Sequence, residues 1–314
     1  MALLSVACSG EAPPPPAERA PTADGRWERL APVPTPRTEV TAVAVEDRIY
    51  VIGGFDAAGE TVPTVEVYDA ETDAWSRGPD LPVAVNHPMS AVAGGTVYVM
   101  GGYLGPLSDP TDRGFALRGE RWEELPPMPE PRSAAGAAAV GEDVYVAGGV
   151  GPGGLAEATL VLDTATGRWH TLPGLLVPRE HLGVASFDGQ VYAVGGRTGG
   201  IGTNLGESET LDPSTGNWRP LPPMPTPRGG IAAAATSNGL IVAPGGEAET
   251  TFAQVEAFDV EEGRWVVLPP MPTARHGLGV AAVGTAVHVI AGGPSPGLSV
   301  SDAHEALDLS ASTA

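Results

Sequence analysis

The sequence predicts an all-β protein built from six copies of one four-stranded unit. Glycine (43) and proline (33) make up about a quarter of the 314 residues, which disfavours long helices and suits short strands joined by turns. Gly-Gly pairs after apolar runs recur at Gly53-Gly54, Gly101-Gly102, Gly148-Gly149, Gly195-Gly196, Gly245-Gly246 and Gly292-Gly293, with first glycines 48, 47, 47, 50 and 47 residues apart. All six tryptophans keep the same beat: Trp27, Trp75, Trp122, Trp169, Trp218 and Trp265 are spaced 48, 47, 47, 49 and 47. Two unrelated residue types in one period mark a repeat architecture running from about Gly25 onward.

Residues 1–10 are an apolar leader ending in Ala7-Cys8-Ser9-Gly10. A small residue before a cysteine resembles the end of a bacterial lipoprotein signal, with Cys8 as the lipidation candidate. Ser5 stands where that signal usually has Leu, no basic residues precede the run, and seven residues before Cys8 suggest a start codon assigned too far downstream. Residues 11–24, with prolines at 13 to 16, read as a stiff, extended tether.

In the first full repeat, Thr38 to Val45 leads through Glu46-Asp47 into Arg48-Ile49-Tyr50-Val51-Ile52, and a polar loop separates this from Val65 to Asp69 and Ala74-Trp75-Ser76. The fourth repeat copies the pattern, with a hairpin turn at Asp188-Gly189, a third strand from Ser208 to Asp212 and a turn into Trp218. Asp-Gly, like Asn238-Gly239 later, suits two-residue hairpins because glycine accepts positive φ. The second repeat departs most, with Gly114-Phe115-Ala116-Leu117 as its third strand. The first Trp segment, residues 25–30, has no strands before it, and the last repeat ends at Leu309 without a Trp. The N-terminal strand is therefore expected to complete the last unit and remove two open sheet edges.

Four strands per repeat, Gly-Gly, an aromatic-acidic third strand and a Trp together resemble the kelch motif, six times over nearly the whole of residues 25–314. The resemblance implies a six-bladed β-propeller, with each repeat a blade around a central channel. It also implies that arginines between blades line a partner-binding face.

Composition narrows function. A formal charge of −21, with all 17 basic residues arginine, argues against nucleic acid and against a polybasic membrane patch. No apolar run reaches the ~18 residues of a membrane-spanning helix. Cys8 is the only cysteine, which excludes an intrachain disulfide framework and any cysteine-based zinc site in the propeller. It also excludes chemistry like that of galactose oxidase, another kelch-type enzyme, which needs a propeller cysteine.

Ten residues after each Trp comes a repeated position, occupied by Arg37, Val85, Arg132, Arg179, Arg228 and Arg275. Five guanidiniums are expected to ring one channel mouth, beside the Gly-Gly loops that carry Phe55, Asp56, Tyr103, Arg197 and Glu247. Charges ~10 Å apart at an effective dielectric of ~20 repel by roughly 1.5 kcal/mol, so the ring needs counter-charge. An anionic ligand would supply it through bidentate contacts. Internal partners would too: Glu39 and Glu180 adjoin ring positions, and loop carbonyls are at hand. His87, His181 and His276 sit near the ring at two different offsets, which on a strand face opposite sides, so no metal site is expected. His170, His288 and His304 read as edge or packing residues. No Gly-x-Ser-x-Gly elbow and no His-Glu-x-x-His occurs.

The expectation is a monomeric, cofactor-free binding protein outside the cytoplasm, lipid-anchored or periplasmic. It would engage an acidic peptide, a protein or an anionic sugar through Arg37, Arg132, Arg179, Arg228, Arg275, Tyr103 and Arg197. Two alternatives stand beside it. One is an enzyme resembling the sialic-acid mutarotases, also six-bladed kelch proteins, with Glu180 and His181 as acid–base candidates. The other is a scaffold whose arginines are satisfied internally.

Overall fold

Short apolar-alternating segments joined by tight turns pair mostly with their sequence neighbours, so five of the six antiparallel sheets are built from consecutive strands. The computed structural model describes residues 20 and 22–310. The leader, Cys8 and the tether up to residue 19 lie outside the described residues. Six four-stranded sheets form six blades. Blade one runs Thr41–Val45, Arg48–Ile52, Val65–Asp69 and Ala74–Arg77 from the innermost to the outermost strand. Blade two runs Met89–Ala93, Thr96–Met100, Gly114–Arg118 and Arg121–Glu124, so its atypical third segment is nevertheless a strand. Inner strands of successive blades touch all the way round, and the sixth meets the first.

The ring closes as expected. Arg26–Arg29 forms the outer strand of blade six, with Trp27 opposite Leu307 and Arg26 opposite Asp308. Six hydrophobic clusters fill the seams between adjacent blades. The seam of blades five and six, for instance, packs Val242, Val255 and Leu268 against Val280, Val289 and Leu307. The tryptophans act at these seams too. The indole N–H of Trp27, Trp75, Trp122, Trp169 and Trp265 donates to the carbonyl of Pro269, Ala31, Pro79, Pro126 and Pro222 respectively, each just past the preceding outer strand. Trp218 donates instead to Thr159 Oγ1.

The Gly-Gly pairs sit where the second strand meets the next blade. A Cβ on Gly101 would lie 2.1 Å from the carbonyl oxygen of Arg132, at a φ of +59°, so only glycine fits. The sixth pair is out of register with the sequence reading. Hydrogen bonding places Ala291-Gly292 there, with Gly292 donating to Arg37 O as Gly54 does to Val85 O, and Ala291 takes the left-handed conformation (φ 57°). Gly293 occupies the next position, that of Phe55.

Candidate functional site

Loops between second and third strands and links between blades lie on one face of the propeller, and the sequence candidates gather there. The arginine ring does not have the expected geometry. Arg37, Arg132, Arg179, Arg228 and Arg275 are each 0% exposed, and their guanidiniums enter the blades instead of lining the channel mouth. Arg37 donates to Gly53 O, Thr64 O and Val51 O, and pairs with Glu66 at 2.9 Å. Arg228 and Arg275 repeat this with Glu256 and Glu305 at 2.9 and 2.8 Å, and Arg179 with Glu209. The counter-charge is internal: it comes from the third strands for four of the five and from Glu130 on the link for Arg132, not from Glu39 or Glu180. Burial lowers the pKa of all five arginines, and the carboxylates only partly oppose that.

Two residues past each arginine position the backbone turns left-handed: Glu39, His87, Ala134, His181, Gly230 and Gly277 have φ between 50° and 71°. The N–H of each donates to the carbonyl of its counterpart one blade back, Glu39 to Gly277, His87 to Glu39, and on round to Gly277, which donates to Gly230. Six such bonds of 2.7 to 3.2 Å close a backbone ring around the mouth. Below it lies a channel of about 290 Å³ walled mainly by small side chains such as Ala42, Ala91 and Ala138.

This ring corrects the histidine expectation. Strand alternation does not apply to left-handed residues, and the imidazoles converge. His87 Nε2 lies 3.0 Å from Glu39 Oε2, and His276 Nδ1 lies 3.4 Å from Glu39 Oε1 and 3.5 Å from Glu247 Oε2. His181 stacks edge-on against His87 with ring centroids 4.9 Å apart, and its Nδ1 lies 3.1 Å from Glu180 Oε2. Arg197 donates to Glu180 at 3.1 Å and to Glu247 at 2.9 Å. Arg197, Glu180, His181, His87, Glu39, His276 and Glu247 therefore form one closed circuit of polar groups around the mouth.

The circuit sets protonation. Burial works against the Glu39 carboxylate, but His87 and His276 outweigh it and hold Glu39 well below the usual range. Burial likewise opposes charge on His276, yet Glu39 and Glu247 raise its pKa. His181 goes the other way, because burial dominates and favours the neutral ring. Glu180 is held low by His181 and Arg197 despite burial. Tyr103 packs edge-on to His87, with centroids 5.6 Å apart, and burial raises its phenol.

Glu180 and His181, the acid–base candidates, are thus neighbours inside this circuit. Glu39 and Glu247 were legible only as flanking acids. The missed signal was glycine at the left-handed position of the last two repeats. A Cβ on Gly277 would stand 2.6 Å from Glu39 Oε1, so that glycine makes room for the carboxylate. His288 and His304 bear out a packing role: they are buried in blade six, with Nδ1 of one 3.0 Å from Nε2 of the other. His170 is exposed.

Comparison with known proteins agrees with the fold. Residues 86–293 match the KLHDC2/KLHL20/DRC7 Kelch-repeats domain, and residues 36–82 match the Kelch motif. Kelch-like protein 36 of Mus musculus is 39% identical over 61 residues, 19% of this chain and 10% of that protein. Beta-scruin of Limulus polyphemus is 31% identical over 77 residues, 24% of this chain and 8% of that protein. An F-box/kelch-repeat protein of Arabidopsis thaliana is 34% identical over 76 residues, 24% of this chain and 20% of its own length. The chain thus spans a fifth or less of these eukaryotic relatives.

Proposed function

Because the chain belongs to the Kelch-repeat family, we propose that it is a non-catalytic binding module whose loop face docks a segment of a partner protein. Kelch-repeat proteins are typically interaction or binding scaffolds. The observation that carries the reading for this chain is where its exposed apolar side chains lie. Among the described residues the exposed large hydrophobics are Leu104, Leu107, Leu176 and Leu298, 45% to 67% exposed. Leu104 and Leu107 belong to the loop before the third strand of blade two, Leu176 to the link into blade four and Leu298 to the corresponding loop of blade six. All four stand on the face that carries the mouth. The turns of the opposite face are polar and acidic, as at Glu46-Asp47, Glu71-Thr72-Asp73 and Glu261-Glu262. Apolar side chains standing above polar loops mark contact surfaces.

An acidic peptide or an anionic saccharide would have to displace Glu180 and Glu247 from Arg197, and it would find the five blade arginines already matched. The leucines therefore favour an apolar protein segment. Attachment through Cys8 outside the cytoplasm stays part of the proposal on the strength of the Ala7-Cys8 junction, and incorporation of labelled fatty acid that Cys8→Ala abolishes is its test.

The docking reading is tested by selecting peptides from a displayed library against the full chain and mapping their footprint by hydrogen exchange. Protection is expected in residues 103–110 and 294–300, with affinity falling at least tenfold in Leu104→Ser/Leu107→Ser/Leu298→Ser. Peptides that protect only the blade sides or the opposite face, or that bind the triple variant unchanged, would sink it.

A further inference from the structure

We propose that Glu39, His87 and His181 form a binding site at the channel mouth for one divalent transition-metal ion of the zinc class. Each of the three offers one ligand atom, and the three atoms lie within 4.8 Å of one another. Ligands about 2.0–2.2 Å from a shared ion stand roughly 3–3.5 Å apart. The Glu39–His87 pair already does, at 3.0 Å, and the His181 nitrogen lies within 4.8 Å of both.

The hydrogen bonds behind the cluster are those a metal site requires. Asn86 Nδ2 donates to Thr61 Oγ1 at 2.9 Å and to Gly105 O at 3.0 Å, so the Oδ1 of Asn86 must face the His87 Nδ1 that lies 2.7 Å away. That oxygen can only accept. His87 Nδ1 therefore carries a hydrogen, and Nε2 faces an oxygen of Glu39 3.0 Å away, a place that either a shared proton or a metal ion can fill. His181 has the same layout: Glu180, itself held by Arg197, stands behind Nδ1 and leaves Nε2 for the centre. His276 holds the second oxygen of Glu39, while its own Nε2 donates to Ser295 O. An outer partner behind each imidazole and behind the carboxylate fixes tautomer and direction, as in established metal centres.

The frame is rigid as well. All three ligands sit at left-handed positions of the closed backbone ring, in blades one, two and four. Two imidazoles and one carboxylate select zinc, cobalt or nickel over magnesium and calcium, which prefer oxygen. Three protein ligands leave a fourth coordination position open.

The experiment uses the untagged full chain, stripped with chelator and dialysed, titrated with zinc chloride by calorimetry. One zinc per chain is expected. The affinity falls at least 100-fold in His87→Ala/His181→Ala and about 10-fold in Asn86→Ala, the residue that positions His87, while His170→Ala leaves it unchanged. If the double variant does not fold, cobalt absorption of the unaltered chain decides. Visible bands of a nitrogen- and oxygen-ligated low-coordinate ion support the site. A thiolate charge-transfer band places the ion at Cys8 and overturns it. Failure to bind zinc, or binding equal in the double variant, also overturns it and leaves a proton between His87 and Glu39.

Discussion

In blade four, the Arg179 guanidinium lies buried against Glu209 on the third strand and the carbonyls of Gly195 and Ala193. In blade two the same two positions hold Val85 and Phe115, 2% and 3% exposed and packed in one apolar cluster. Both partners have changed together. Blade three is intermediate: Arg132 is kept, Leu160 stands at the glutamate position, and Glu130 reaches in from the link to pair with the guanidinium. A buried ion pair is interchangeable with an apolar pair of similar volume, whereas half of one is not. The comparison teaches that the repeated arginine is a component of blade construction, and that the polar chemistry of the mouth belongs to the residues one and two places further on.

The largest effect that sharpens the comparison is loss of one partner. Arg179→Ala leaves Glu209 buried without its cation and is expected to cost about 3–5 kcal/mol. Val85→Ala in blade two creates only a small cavity and is expected to cost about 2 kcal/mol or less. Urea unfolding midpoints check both, and equal losses would break the distinction between the blades.

Blade six extends it along the pH axis. Its ion pair Arg275–Glu305 adjoins His288 and His304, which burial holds down to about 4 and about 3. These groups are neutral when folded and take up protons near pH 6.5 when unfolded. Their contribution is therefore fully present above pH 6.5 and is lost progressively as pH falls from 6.5 through about 3. The melting temperature is expected to drop over that window, and His288→Gln/His304→Gln should flatten the drop. A profile flat from pH 7 to 4 in the unaltered chain would contradict the burial of neutral rings.

A smaller effect separates the seams from the blade interiors. Trp75→Phe removes the indole hydrogen bond to Ala31 O but keeps most of the packing, for a loss of roughly 1 kcal/mol. The leucine variants should move stability least, within about 0.5 kcal/mol, while weakening peptide binding at least tenfold.

The strands, blade count and ring closure were legible because period, turn residues and apolar alternation all report local structure. Side-chain direction was not. Position ten past the tryptophan locates Arg37 on a link, but whether the guanidinium turns to the mouth or the blade depends on Glu66, 29 residues away. The matched absence of both groups from blade two was a clue available in the sequence. The histidine cluster was missed because alternation was applied to a segment that is not a strand, although Gly230 and Gly277 at the same offset signalled positive φ. The sixth Gly-Gly slipped by one residue because Ala291 accepts a conformation normally left to glycine.

The most direct test is a double-mutant cycle in urea on the Arg179–Glu209 pair, using Arg179→Val, Glu209→Phe and both together, the pairing found in blade two. Each single change should cost several kcal/mol, and the double variant should recover at least ~2 kcal/mol of their sum. Additive losses, with the double variant the least stable of the three, would contradict the view that these arginines serve the blades.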